Sequence, residues 1–315
     1  MLLGALLLGA LFALLLRALL NAPADTFAFL RRARAGPLAA GLAVYALAFA
    51  ARGLRLQLLL PPEDRVPFTR AWSLSAAVTF LLQVVPFRGG ELAGWAATKR
   101  TLGFGWARAG AVFALVKAID SACLLLVGLG GASALAADAG RRVLSAAGVA
   151  AAALLALALL AAPWGGTAAA RAARNRLPEG SRRKELAGEV AAGLDVVSRR
   201  PALYALALVL ALAFLGGHLA ALTLLLRAFG LSVPVAALAF ASLTSVVVAG
   251  FVPSPAGSFG PMESGFAAGL AAAGVPMASG AVYGALLHLL TTAVAGILAL
   301  PLLKRDSRAR RATLI

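Results

Sequence analysis

Cysteine occurs once in 315 residues, at Cys123 inside an apolar run. That excludes a disulfide framework and a thiolate metal centre. Histidine is almost as scarce, with only His218 and His288. Two imidazoles cannot hold zinc without carboxylate help, and no HExxH spacing occurs. There is no GxxxxGK[ST] loop, so ATP-driven transport by this chain alone is set aside. Charged residues make up 13% of the chain, against about a quarter in soluble domains. What fills the gap is apolar: 62% of the residues are hydrophobic, and the mean hydropathy is +0.92. No soluble core of this length needs so much, so the excess faces lipid. A soluble enzyme, a DNA-binding domain and a disordered chain are excluded together.

The remaining charge is one-sided, at +17 from 29 Lys plus Arg against 12 Asp plus Glu. In a soluble protein such a balance would suggest nucleic acid. Here the basic residues lie between apolar runs, where they set topology and touch anionic lipid. The partners expected are membrane lipids, with no nucleic acid and no cofactor.

A helix needs about 20 apolar residues to span the hydrocarbon. Runs at 1–20, 36–60, 106–130, 143–163, 202–226 and 281–303 meet that length. The first lacks the basic start of a signal peptide and is read as a retained helix. Two further stretches, 68–86 and 235–252, run into proline and glycine clusters and are followed by short segments at 91–103 and 262–275. The fold class predicted is all-α: one polytopic transmembrane domain over 1–315, with about six full spans and two broken re-entrant hairpins.

The stretch 164–201 carries eight Lys and Arg residues, and the tail carries Lys304, Arg305, Arg308, Arg310 and Arg311. The positive-inside rule puts both in the cytoplasm, 164–201 as a basic loop, and so predicts a cytoplasmic C-terminus in a bacterial inner membrane. Residues 235–275 then begin and end outside, and 68–103 opens from the cytoplasm. The same count leaves Arg31, Arg32 and Arg34 outside, against the rule.

The two halves echo each other. Ala46-Leu47-Ala48-Phe49 recurs as Ala211-Leu212-Ala213-Phe214, and Gly110-Ala111-Val112-Phe113 recurs as Gly280-Ala281-Val282-Tyr283. Between them the break VVPFRGGE (84–91) matches the break in FVPSPAGSFGPME (251–263). Pseudo-repeats over 36–130 and 202–303 follow, pointing in opposite directions, as in many alternating-access transporters.

Chemistry is expected at the breaks. Proline removes a backbone donor and glycine permits positive φ, so the helices must unwind there. Unwound backbone at membrane depth survives only where it is buried in protein or lines a wet cavity. Arg88, Gly89 and Gly90 in the first break, and Pro253, Gly257 and Gly260 in the second, would offer freed N–H groups and helix N-termini to an anion such as phosphate. Glu91 and Glu263 open the half-helices that follow, either as helix caps or as lining of a polar path. Lys117 and Asp120 share one helix face and can pair with each other, and His288 lies deep in the last span. Arg52 and Arg55 read as residues that snorkel to lipid phosphate, and His218 as a satisfied interhelical hydrogen bond.

These motifs resemble the transmembrane region of lysylphosphatidylglycerol synthases, a family of flippase-like (UPF0104-type) integral membrane proteins. The resemblance rests on Pro86, Gly90 and Glu91 in VVPFRGGE, and on Asp120 in VKAID. In the second half it rests on Pro253, Gly257, Gly260 and Glu263 in VPSPAGSFGPME, then Gly274 and Pro276 in AAGVP. Three positions depart from the family pattern: Gly94, Lys117 and His288 stand where arginines are usual. The resemblance implies movement of a lipid: an aminoacylated phospholipid, a polyprenyl-phosphate sugar or a hopanoid-type lipid. No aminoacyl-transferase domain follows within this sequence, so the chain is not expected to be an enzyme. The alternatives are a membrane-embedded enzyme acting on a lipid-linked substrate and a scaffold for a lipid-biosynthesis enzyme. Its small-residue-rich helices would permit a homo-oligomer.

Overall fold

The computed structural model describes residues 33–87, 89–136 and 139–312. The expected helix at 1–20, together with Arg31, Arg32 and Arg88, lies outside the described residues. Ten α-helices and one short 3-10 turn, and no strand, occur among the described residues. They are α1 (Ala35–Leu59), α2 (Phe68–Val84), α3 (Gly89–Leu102), α4 (Trp106–Leu135), α5 (Ala139–Arg176), α6 (Arg182–Arg199), α7 (Pro201–Ala228), α8 (Val235–Phe251), α9 (Pro261–Ala271) and α10 (Met277–Ala312). Five described helices are long and apolar enough to cross a membrane: α1, α4, Gly148–Arg176 within α5, α7, and Met277–Leu302 within α10.

The stretch 164–201 is not a loop, as its charge suggested. Helix α5 continues through Pro163 and Trp164 to Arg176, and α6 follows after a short turn. The turn is tied by an ion pair between Lys184 and Glu179, whose carboxylate is held below its ordinary range by that hydrogen bond. Glu189 of α6 accepts the backbone N–H groups of Ala107 and Arg108, which satisfies free donors at the start of α4.

The half-length helices have matching ends. Helices α2 and α8 each run 17 residues, begin after a proline (Pro67, Pro234) and stop at an extended valine (Val85, Val252) that precedes another proline. A residue before proline is pushed out of the helical region, so both stops are written in the sequence. At 1.5 Å per residue each helix is about 25 Å long, short of the roughly 30 Å hydrocarbon.

Each half-length helix folds back on its successor. On α3, a Cβ at Gly90 would stand 2.5 Å from the Leu81 carbonyl oxygen of α2. On α9, a Cβ at Gly265 would stand 2.5 Å from the Thr244 carbonyl oxygen of α8. Thr244 Oγ1 donates to Gly265 O at 2.7 Å, and Ser245 Oγ donates to Met262 O at 2.8 Å. Glycine is required because the two backbones touch.

Packing between the halves is reciprocal. Helices α1 and α7 lie antiparallel along their length: the Arg34 N–H donates to Ala228 O at 2.9 Å, and further along Tyr45 faces His218 and Phe49 faces Phe214. Helix α2 packs on α10, where Gly296 meets Phe80 and Thr292 meets Gln83, while α8 packs on α4, where Leu243 meets Gly128 and Ala236 meets Gly131. Exchanging the halves turns one of these contacts into the other.

Candidate functional site

The two broken segments meet tip to tip. The Phe87 N–H donates to Ser254 O at 3.0 Å, and the Ser258 N–H donates to Gln83 O at 3.0 Å. Ser258 Oγ donates to the same Gln83 carbonyl at 3.1 Å, and Thr292 Oγ1 donates to Gln83 Oε1 at 3.0 Å. Gly257 approaches Gln83 so closely, at φ +73°, that a side chain there would run into the Gln83 carbonyl. Phe87 holds φ at +50°, a rare conformation for a side chain of its size. Backbone from both halves, which cannot be satisfied by lipid, is satisfied at this junction.

Below the junction lies a cavity of about 270 Å³ walled by both halves. Its polar lining includes Arg52, Gln83, Lys117, Asp120, His218, Ser245, His288 and Thr291. The first half supplies the charge and the second the junction with His288.

The predicted pair of Lys117 with Asp120 does not form. Asp120 takes Arg52 and Arg55 instead, from the neighbouring helix α1. Arg55 Nη1 sits 2.5 Å from Asp120 Oδ1 and is 1% exposed, so it cannot snorkel to lipid. Arg52 also donates to Thr79 Oγ1 at 2.5 Å and lies over the Phe214 ring, 4.2 Å from its centroid. Its Nε is buried without a hydrogen-bond partner. Lys117 turns to Glu91, at 3.7 Å, and both side chains stay partly exposed. Pairing across helices wins because a partly buried carboxylate needs several donors, which two arginines a turn apart on α1 supply.

The two glutamates that sequence treats alike part company. Glu91 is half exposed and faces Lys117. Glu263 is buried: Oε2 accepts the Gly260 N–H at 2.6 Å and Oε1 lies 2.6 Å from His288 Nδ1. The capping reading holds for this residue, and its other carboxylate oxygen is turned to His288. His288 is buried, its ring stacked on Phe259 at 4.0 Å, with Nε2 3.4 Å from Ser258 Oγ. His218 is not the satisfied hydrogen bond expected: Nδ1 is buried without a partner, and the ring packs on Tyr45 and Phe214.

Of the residues expected to act, Gln83-facing Gly257 and Gly260, Glu263 and His288 gather at the junction, and Lys117 and Asp120 at the cavity. Gly90 serves α2–α3 packing, Gly89 opens α3, and Pro253 lies beside the Val252 stop; Arg88 lies outside the described residues. Arg52, Arg55, Gln83 and Ser258 were missed as site residues. Two arginines three apart inside an apolar run were the available signal for the first two; nothing local marked Gln83 or Ser258. No group of three or more His, Cys, Asp or Glu residues that could hold a metal occurs among the described residues.

No curated protein and no solved structure matches the chain. A family profile described as the lysylphosphatidylglycerol synthase TM region matches residues 1–299. That match covers both halves, the junction and the cavity, and the chain belongs to the family of the lysylphosphatidylglycerol synthase transmembrane region.

Proposed function

We propose that this membrane protein moves a lipid with a polar, anionic headgroup between leaflets of the bacterial inner membrane. The observation that carries the reading is the cavity beside the joined tips, with Arg52, Lys117 and Asp120 in its wall. A cavity of about 270 Å³ has room for several waters. That suits a headgroup, with the acyl chains left in lipid. Arg52 and Lys117 would hold its negative charge, and Asp120 would keep the arginines in place.

In this reading α2–α3 and α8–α9 are re-entrant hairpins, entering from opposite faces and meeting near the midplane. The antiparallel α1–α7 pair and the exchanged α2–α10 and α4–α8 contacts support an inverted repeat, the plan that lets one half rock against the other. The C-terminus and the α5–α6 hairpin lie in the cytoplasm by their basic residues. The test is protein-dependent movement of fluorescent phosphatidylglycerol between leaflets of a sealed vesicle, read with an external quencher. Transport that Arg52→Gln abolishes supports the reading, and its persistence in that variant removes the cavity from the path.

One observation favours an enzyme. Ser258 Oγ, the His288 ring and the Glu263 carboxylate follow one another as a hydroxyl, a base and an orienting acid would. Yet the Ser258 N–H is spent on Gln83 and the Gly260 N–H on Glu263, so neither is free to stabilise an oxyanion. Transport is therefore the better reading. Turnover of a lipid ester by purified protein in detergent would reverse that preference.

A further inference from the structure

We propose that Glu263 and His288 form a proton-binding site whose occupancy sets how firmly the tips of the two hairpins are held together. Its role as the source of drive rests on the transporter reading above; the switch itself does not.

Hydrogen-bond direction couples the proton to the junction. With Glu263 ionised, His288 Nδ1 carries a proton toward Oε1, 2.6 Å away. In the neutral imidazole Nε2 is then an acceptor, and the nearest hydroxyl is Ser258 Oγ at 3.4 Å. Ser258 has one proton to give. If it gives it to Nε2, the Gln83 carbonyl keeps only the Ser258 N–H. When His288 is protonated, Nε2 becomes a donor to Ser258 Oγ, and the hydroxyl proton turns to Gln83 O at 3.1 Å. A bound proton therefore commits the Ser258 hydroxyl to the bond between the halves, and its release lets Nε2 compete for that hydroxyl.

The pair is placed to act on the junction. Glu263 fastens the Gly260 N–H with its other oxygen, and Phe259 covers the imidazole face, so one proton bears on three consecutive residues of the second tip. The other titratable or charged groups facing the cavity with His288 are Tyr45 and Arg52 on α1, Lys117, Asp120 and Cys123 on α4, and His218 on α7. Helices α2 and α8 contribute only neutral groups there, including Thr79, Gln83, Ser242 and Ser245. Arg52 and Asp120 are bound to each other and Lys117 faces Glu91, which leaves Glu263 as the carboxylate in contact with His288.

The experiment is amide hydrogen exchange of the segment 251–260 in the full-length protein in phosphatidylglycerol nanodiscs, corrected for intrinsic rates, between about pH 6 and 8. In the wild type the protection of this segment should fall about fivefold as pH rises, the loss of one hydrogen bond of ordinary strength. His288→Arg, a permanent donor, should stay protected throughout. Ser258→Ala should be poorly protected at both ends. A His288→Arg curve that follows the wild type, or a flat wild-type curve, overturns the switch. Fluorescent phosphatidylglycerol in vesicles with an imposed pH gradient separates the two claims. Lipid movement that ignores the gradient overturns the drive. Absence of lipid movement, with the exchange switch intact, overturns the cargo reading instead.

Discussion

Arg55 Nη1 donates to Asp120 Oδ1 at 2.5 Å from a side chain that is 1% exposed. A guanidinium buried this deeply depends on its carboxylate, whereas the reverse dependence is shared with Arg52. Asp120→Asn should therefore cost about 3–5 kcal/mol, the usual effect of stranding a buried charge. Thermal unfolding in detergent measures it. Arg52→Gln should cost much less, because Asp120 keeps Arg55.

Glycine contacts in the hairpins give a contrast within one substitution type. Gly90→Ala and Gly265→Ala each push a methyl group onto a backbone carbonyl of the partner helix, at 2.5 Å. Separation of the paired helices should cost roughly 1–3 kcal/mol. Gly216→Ala on α7 meets nothing within 4 Å and should be neutral or stabilising by up to about 1 kcal/mol. Equal melting temperatures for all three would contradict the close packing.

Orientation is open to a direct check. The α5–α6 hairpin carries Arg171, Arg174, Arg176, Arg182, Arg183 and Lys184, so a reporter inserted at Gly180, a positive-φ turn position, should lie on the cytoplasmic side. A C-terminal fluorescent fusion should glow and an alkaline phosphatase fusion should be inactive. The opposite pair of signals inverts the whole topology.

How much of this was legible in the sequence depends on the range of the interaction. The stops of α2 and α8 were visible because proline acts on its own neighbour. Membrane character was visible in composition alone. The partner of Asp120 was not, since Lys117 one turn away and Arg55 on another helix are equally good cations on paper. Only the packing of α1 on α2, which brings its two arginines to Asp120, decides between them. Glu91 and Glu263 look alike because both follow a Pro–Gly break; one is buried against α10 and the other is not. Gln83 carries no chemical signature at all, yet its carbonyl and side chain receive three hydrogen bonds from the second half. Long-range backbone pairing of that kind leaves no trace in a single chain's residue types.

The central claim is that the two tips must part for lipid to cross. The Phe87 N–H and Ser254 O are 3.0 Å apart, which brings these backbones within the span of a disulfide. Phe87→Cys with Ser254→Cys, in a Cys123→Ala background that removes the one native thiol, should cross-link on oxidation. Leaflet exchange of fluorescent phosphatidylglycerol should then stop in the oxidised protein and return on reduction. Equal exchange in both states, with the cross-link verified by peptide mass, would contradict the account.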